Sequence, residues 1–303
     1  MSLKSCLACY ALALISFPLT AFAAASDFET LGPYPVGVTT TVMVDLSRHD
    51  DTTQGPRTML TEIWYPATEL AKQMPLNKHS DFLLKGANAG INMAINMAFG
   101  VDVATIDATF NNTAYRDAPV ADGTFPLIVF SHGNGGFRMQ NVFWCEHLAS
   151  HGYVVVAPDH TGNSAATVVD GKMIPYNNDR VQAAKDRPLD VSFLITQMGK
   201  WNAGADSRFV SKIDMEKIGV GGHSFGGYTT SWVAEIDDRI DAIVPMAGIA
   251  PDLTKANTTP LLVLMATEDD TIGAVGNEII RNYYATSTGP KYFVEFVDGG
   301  HYS

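Results

Sequence analysis

An α/β fold, with a mostly parallel central sheet and helices on both faces, is predicted by three features of the 303-residue chain. From Pro126 onward, short apolar runs of strand length alternate with longer segments of helical spacing, which is the signature of strand-helix-strand units. One of these runs, residues 217–220, leads directly into Gly222-His223-Ser224-Phe225-Gly226, and a helical pattern follows it. Hydrophobic residues make up 46% of the chain, enough for a substantial core.

Residues 1–23 stand apart. Lys4 is their only charge, an apolar run covers positions 7–17, and Ala21-Phe22-Ala23 offers a small-x-small cleavage site, so this stretch reads as a secretory signal peptide. Residues 24–303 are then expected to form a single domain exported to the periplasm or the exterior. The apolar run is too short for a comfortable membrane span, and stable membrane insertion is not expected. Removal of the signal takes Cys6 and Cys9 with it and leaves Cys145 alone, so no internal disulfide can form. The net charge of −12 repels phosphate backbones, which excludes nucleic acid as a partner.

In chain order, residues 36–45 and 59–65 are β-branched and alternating, and read as two strands pairing antiparallel at a sheet edge, the second ended by Pro66. Residues 67–124 lack strand signals. Ile91, Ala94, Ile95, Ala98 and Phe99 share a helical stripe there, which makes the segment either a cap over a substrate pocket or a helix covering the sheet edge; the spacing favours the cover. Residues 126–130 are continuously apolar, as a strand buried on both faces must be, and they end in Ser131-His132-Gly133-Asn134-Gly135-Gly136-Phe137. A helix over 141–151, closed by Gly152, and a parallel strand over 153–156 follow. His147 and His151 stand at i, i+4, a spacing that suits a metal, but no third ligand is evident nearby. Residues 179–200 are largely helical, with Pro188 expected to start a fresh helix. Strands at 242–246 and 261–265, a helix around 275–284 and a last strand at 291–297 complete the pattern.

The chemistry centres on Ser224. In a strand-turn-helix of this kind the serine sits on strained backbone, and Gly222 and Gly226 supply missing side chains where β-carbons would collide. A serine hydroxyl is a poor nucleophile until a base takes its proton, and the base needs a carboxylate to hold its tautomer. Both are expected after later strands, where substrates bind in α/β sheets. Glu268-Asp269-Asp270-Thr271 leaves one strand and Asp298-Gly299-Gly300-His301 the next, which makes Asp270 the expected acid and His301 the expected base. The backbone N–H of Phe225 and that of Asn134, in the glycine-rich loop, are the expected oxyanion donors. This chemistry requires no metal and no organic cofactor.

Several of these stretches carry a family likeness. Phe130-Ser131-His132-Gly133-Asn134-Gly135-Gly136-Phe137-Arg138, Leu148-Ala149-Ser150-His151-Gly152-Tyr153, Gly222-His223-Ser224-Phe225-Gly226-Gly227, Gly32-Pro33-Tyr34-Pro35-Val36-Gly37 and Ile63-Trp64-Tyr65-Pro66 closely resemble the platelet-activating factor acetylhydrolase group of α/β-hydrolases. The resemblance implies the α/β-hydrolase fold and a serine esterase acting on short acyl esters. In the animal enzymes of that group the acid follows the strand immediately after the elbow. Here that place reads Val244-Pro245-Met246-Ala247-Gly248, and Glu268-Asp269-Asp270-Thr271-Ile272 instead resembles the acid loop of bacterial cutinases and polyester hydrolases. The substrate is thus an ester of small-molecule, lipid or polymer type. Ser224 sets aside dehalogenases, which place Asp at the elbow, and dienelactone hydrolases, which place Cys. A non-catalytic binding protein on this scaffold would lack a triad member, and none is lacking. His301 is followed only by Tyr302 and Ser303, where α/β-hydrolases normally add a helix, so the chain looks truncated or short there and its base is expected to be weakly held.

Overall fold

The computed structural model describes residues 30–84 and 103–303. The signal segment and the stripe from Ile91 to Phe99 lie outside the described residues. In chain order the strands are β1 (Val36–Asp50), β2 (Gly55–Pro66), β3 (Ala114–Arg116), β4 (Phe125–Ser131), β5 (Val154–Pro158), β6 (Ala166–Val169), β7 (Lys172–Pro175), β8 (Ile213–His223), β9 (Ala242–Met246), β10 (Leu261–Ala266) and β11 (Lys291–Phe296). Nine of them form one sheet in the order β11-β10-β9-β8-β4-β5-β2-β1-β3, while β6 and β7 pair as a separate hairpin. From β4 to β11 the sheet is parallel; β2 joins β5 antiparallel, and β1 joins β2 likewise.

The expected antiparallel pair is therefore present, but it is longer than the alternating residues alone indicate. A bulge between Asp45 and His49 lets β1 continue, and β3 adds a further, parallel edge beyond it. Within residues 67–124, where no strand was expected, the described residues form β3 and the helices α1 (His79–Leu84) and α2 (Val103–Thr109).

Helices α3 (Val142–Ser150), α4 (Arg180–Lys200), α5 (Phe225–Ile236) and α6 (Gly273–Thr286) follow β4, β7, β8 and β10. The period-2 alternation of the central strands divides their side chains between two cores. Leu127, Val129, Val154, Val156 and Ile63 face a cluster that contains Val191, Leu194 and Met198 of α4, Val233 of α5 and Ile280 of α6. Their neighbours Phe130, Val155 and Trp64 face a second cluster with Cys145 and Ala149 of α3.

Helix α4 corrects one expectation. It runs unbroken through Pro188 instead of restarting there. Proline removes one intrahelical bond, but the flanking Arg187 and Asp190 are fully buried and tied to other elements, and this tertiary anchorage outweighs the local break. At the N-terminus Asp179 accepts the N–H of Gln182, a side-chain cap.

Candidate active site

The parallel strands end along one edge of the sheet, and the residues singled out by the sequence follow those ends. Ser224 comes directly after β8 with φ 57° and ψ −117°, a region sparsely populated by residues other than glycine. Its N–H donates to the carbonyl of Met246 at the end of β9 (2.7 Å), and its carbonyl accepts from Tyr228 N–H (3.1 Å). Gly226 explains why the turn takes this shape: a β-carbon there would sit 1.8 Å from the Ser131 carbonyl oxygen. At Gly222 it would lie 2.4 Å from the carbonyl oxygen of Gly226. The elbow backbone therefore presses on the end of β4, and Ser224 is left half-buried at the sheet edge.

His301 follows β11 and is 9% exposed. Its Nδ1 pairs with Asp269 Oδ2 at 2.7 Å, so the carboxylate on the histidine is Asp269 and the assignment of Asp270 is corrected. The reason lies in the turn after β10. Asp269 is 2% exposed and its other oxygen accepts the N–H groups of Thr271 (3.0 Å) and Ile272 (3.2 Å), which points the side chain inward, whereas Asp270 is exposed. The two loops are stitched together by Glu268 N–H to Gly299 carbonyl (2.9 Å) and Asp298 N–H to Thr267 Oγ1 (2.8 Å). The Gly300–Ser303 turn closes on itself, with Gly300 N–H donating to Ser303 Oγ (2.8 Å). The His301 ring is thus anchored from within, where a weakly held ring was expected.

His223, the residue before Ser224, joins the elbow to the histidine loop. Its ring lies 4.7 Å from that of His301, and its Nε2–H donates to the His301 carbonyl (2.7 Å). Gln140 completes the link: its Nε2 donates to His223 Nδ1 (2.9 Å), while its Oε1 accepts the Gly133 N–H (2.8 Å). Ser224, His301 and the glycine-rich loop are consequently held by one chain of hydrogen bonds. Among the described residues no hydrogen bond joins the Ser224 hydroxyl to His301, a contact that in many hydrolases tightens only around bound substrate.

In the glycine-rich loop the N–H groups of Gly133, Gly135 and Gly136 go to Gln140, Asn163 and Gly133. The Asn134 side chain is committed to Tyr176 and Asn163. Its backbone N–H, like that of Phe225 at the start of α5, takes part in no hydrogen bond among the described residues.

Beneath this loop lies a buried charged cluster that the sequence does not announce. His160 Nδ1–H donates to Asp190 (2.9 Å), and its Nε2 accepts from Ser131 Oγ (2.9 Å). Ser131 Oγ accepts in turn from Arg187 Nη2 (3.1 Å), and the same guanidinium donates to the His132 carbonyl and stands 4.8 Å over the Phe225 ring. Asp190 also receives a bidentate bond from Arg57 (3.0 and 2.7 Å). Burial, then the adjacent Arg187, push His160 down to about 3, and burial holds His132 well below its ordinary value too. Burial also lowers Arg187, to about 9. Burial alone would raise the Asp190 carboxyl, but Arg57 and the His160 N–H hold it far below the usual range.

The fold and the elbow define an α/β-hydrolase. A solved structure, a ferulic acid esterase from Streptomyces cinnamoneus, superposes with a TM-score of 0.69 at 24% identity, covering 92% of this chain and 77% of that one, a likeness of fold. The family model of platelet-activating factor acetylhydrolase, isoform II, matches residues 23–185, more than half of the chain, and the protein belongs to this family. The dienelactone hydrolase family model also matches, over residues 113–301. Among curated proteins the chain is 30% identical over 189 residues to the platelet-activating factor acetylhydrolase of Canis lupus familiaris (43% of this chain, 40% of that one). It is 26% identical over 187 residues to cutinase est1 of Thermobifida alba (61% and 56%). The chain spans about half the length of the curated relatives it matches.

Two predictions follow from this geometry. Gly226→Ala should destabilise the protein by more than about 3 kcal/mol in chemical denaturation, since neither colliding backbone can retreat. At Gly219 a β-carbon would meet Ile128 at an ordinary 3.6 Å, and Gly219→Ala should stay within about 1 kcal/mol of the parent; equal losses would contradict the close-approach argument. The second concerns acid. His132, His160 and His223 are neutral when folded, with values lowered by burial, but take up protons near 6.5 once unfolded. Protons therefore bind the unfolded chain first, and stability present above pH 6.5 falls as the pH drops; for His160 the fall continues toward pH 3, at about 1.4 kcal/mol per unit, and His132 and His223 act in the same direction. His160→Gln should lower the melting temperature at pH 7.5 yet make its decline between pH 7 and 5 shallower; an unchanged slope would remove His160 from this account.

Proposed function

We propose that the protein is an exported serine carboxylic-ester hydrolase in which Ser224, His301 and Asp269 form the catalytic triad. The observation that carries this reading is the pairing of an elbow serine on strained backbone with a buried histidine whose Nδ1 is held by a buried carboxylate. With Nδ1–H committed to Asp269, the tautomer leaves Nε2 free to act as base. Ser224 Oγ attacks the ester carbonyl carbon as its proton passes to His301 Nε2, and the Phe225 and Asn134 N–H groups receive the oxyanion of the tetrahedral intermediate. His301 then returns the proton to the departing alcohol oxygen, leaving an acyl-Ser224. Water attacks this acyl group with His301 again as base, and the acid is released. Membership of the platelet-activating factor acetylhydrolase family favours short acyl esters. The acid loop after β10 and the likeness to a cutinase favour a polyester as the second reading. The signal-like N-terminal residues support export, and among the described residues no helix is long and apolar enough to cross a membrane.

Ser224→Ala should cut kcat on p-nitrophenyl acetate by about 10⁴- to 10⁶-fold with the fold intact, and should abolish labelling by a fluorophosphonate. Near-normal turnover by the variant would reject the nucleophile. Assayed beside it, Asp269→Asn should impose the wrong histidine tautomer and cost up to about 10⁴-fold, whereas Asp270→Asn should remain close to the parent; the reverse ranking would show that the hydrogen bond to Asp269 is structural only. A panel of p-nitrophenyl esters from acetyl to palmitoyl, run with a polyester film, distinguishes the two substrate readings.

A further inference from the structure

The link from the glycine-rich loop to the histidine loop has its proton positions fixed from both ends. At one end stands the Gly133 N–H, which can only donate, and Gln140 Oε1 receives it at 2.8 Å. At the other stands the His301 carbonyl, which can only accept, and His223 Nε2–H donates to it at 2.7 Å. Between them the Gln140 amide must turn its NH2 away from Gly133, and both protons of that group are used, one on Asn141 Oδ1 (3.1 Å) and one on His223 Nδ1 (2.9 Å). His223 is therefore neutral with its proton on Nε2, and the chain has no seat for another. The amide also fills the hollow that two glycines leave: a β-carbon would sit 2.4 Å from Gln140 Oε1 if placed on Gly136, and 3.3 Å from it if placed on Gly133.

The Asn134 N–H, the donor proposed for the oxyanion, belongs to the peptide whose carbonyl is that of Gly133. His132 Nε2 accepts the His160 N–H (3.1 Å), so its proton is on Nδ1, and the Gly133 carbonyl accepts from this Nδ1–H (2.6 Å) and from Gly136 N–H (3.1 Å). In a planar trans peptide the N–H points opposite to the carbonyl. The direction of the Asn134 N–H is thus set by how Gly133 is held, and Gln140 holds Gly133 by its own N–H. Resting on the triad reading above, we infer that Gln140 and His223 are positioning residues of the oxyanion site, which keep the Gly133–Asn134 peptide in register with the His301 loop only while His223 is neutral. A protonated His223 would bring an Nδ1–H against the Gln140 NH2. The amide could turn over to accept it, but its NH2 would then face the Gly133 N–H and the loop would be released. Gln140 can hold the Gly133 N–H or a protonated His223, not both. The titratable groups facing His223 are the rings of His301 (4.7 Å) and Tyr302 (5.0 Å), with Asp269 behind His301. Burial, then His301, hold His223 below its ordinary value, against the opposite pull of the His301 carbonyl and Asp269. His301 becomes a cation each time it takes the Ser224 proton, and a neutral His223 beside it avoids opposing that step.

The test compares the parent with Gln140→Leu, which keeps the bulk of the side chain and removes its hydrogen bonds, and with Gln140→Glu, whose carboxylate can accept from the Gly133 N–H and from a protonated His223 at once. Kinetics on p-nitrophenyl acetate are paired with inhibition by a trifluoromethyl ketone, which forms a tetrahedral oxyanion on a reactive serine. Gln140→Leu should lower kcat by about tenfold to a hundredfold with KM within about threefold, and should weaken the ketone by the same factor as kcat/KM. Gln140→Glu should bring both back to within about threefold of the parent. In ring NMR of Ser224→Ala, His223 should keep the Nε2–H tautomer from pH 9 to pH 7, and adding Gln140→Glu should raise its titration midpoint by about one pH unit or more. Equal kcat and ketone affinity in the parent and Gln140→Leu would overturn the proposal, as would a glutamate variant as impaired as the leucine one. If the parent turns over no ester, it is the triad reading that fails, and the titration judges the link by itself: a raised midpoint retains the coupling of the two loops, and a midpoint indifferent to Gln140→Glu rejects it.

Discussion

The whole edge of the sheet is arranged around one close approach, the backbone of the turn after β8 pressed against the last carbonyl of β4. With a β-carbon at Gly226 only 1.8 Å from Ser131 O, the turn can form only where a side chain is missing. That contact forces Ser224 to φ 57° and fixes the first N–H of α5 beside the loop after β4. Strain of this kind costs on the order of 1–3 kcal/mol and persists only where the surroundings over-determine it. Here the surroundings are Met246 O, which takes the Ser224 N–H, and the helix of α5, which takes its carbonyl.

The buried cluster around Arg187 and Asp190 supplies the other half of that constraint. The loop after β4 contributes backbone carbonyls and a hydroxyl with no strand partner, and burying them unpaired would cost about 1–3 kcal/mol each. Arg187 satisfies the His132 carbonyl and the Ser131 hydroxyl together, and through Asn163 it reaches the Asn134 side chain. A buried guanidinium would be untenable alone, and Asp190 on the next turn of α4, shared with Arg57 and His160, compensates it. The arrangement adds rigidity more than stability, which suits a loop whose Asn134 N–H is proposed to receive the oxyanion.

The sequence is most legible where a local rule and the global fold agree. The parallel strands, the elbow, His301 and the glycine-rich loop all declare themselves through apolar runs, glycines and strand-end position. The misses have separate causes. Asp269 and Asp270 differ by one residue, and only the turn bonds that Asp269 accepts from the Thr271 and Ile272 N–H groups decide which carboxylate turns inward; the helix that begins at Gly273, four residues after Asp269, is the signal that favours it. The β6–β7 hairpin carries an Asp170-Gly171 turn with both φ positive, a strong hairpin signature that the short flanking strands obscure. The Arg57–Asp190–His160 cluster draws on β2, α4 and the loop after β5, residues far apart in sequence, and no local pattern could bring them together.

The same close packing accounts for the position of the carboxylate that holds His301. At the end of β9, the strand next to the elbow, Ala247 has φ 49° and a β-carbon on Gly248 would lie 2.1 Å from the Ser224 carbonyl. A further β-carbon on Gly227 would strike Gly248 O at 2.4 Å from the other side. This strand end is therefore filled by the elbow itself, and a carboxylate hung there would have to displace the backbone that carries Ser224. The next strand, β10, lies one position farther from the elbow, with room for a turn that leads into α6 and presents Asp269 to His301. A carboxylate one strand outward is the arrangement that leaves both the elbow and the histidine loop undisturbed.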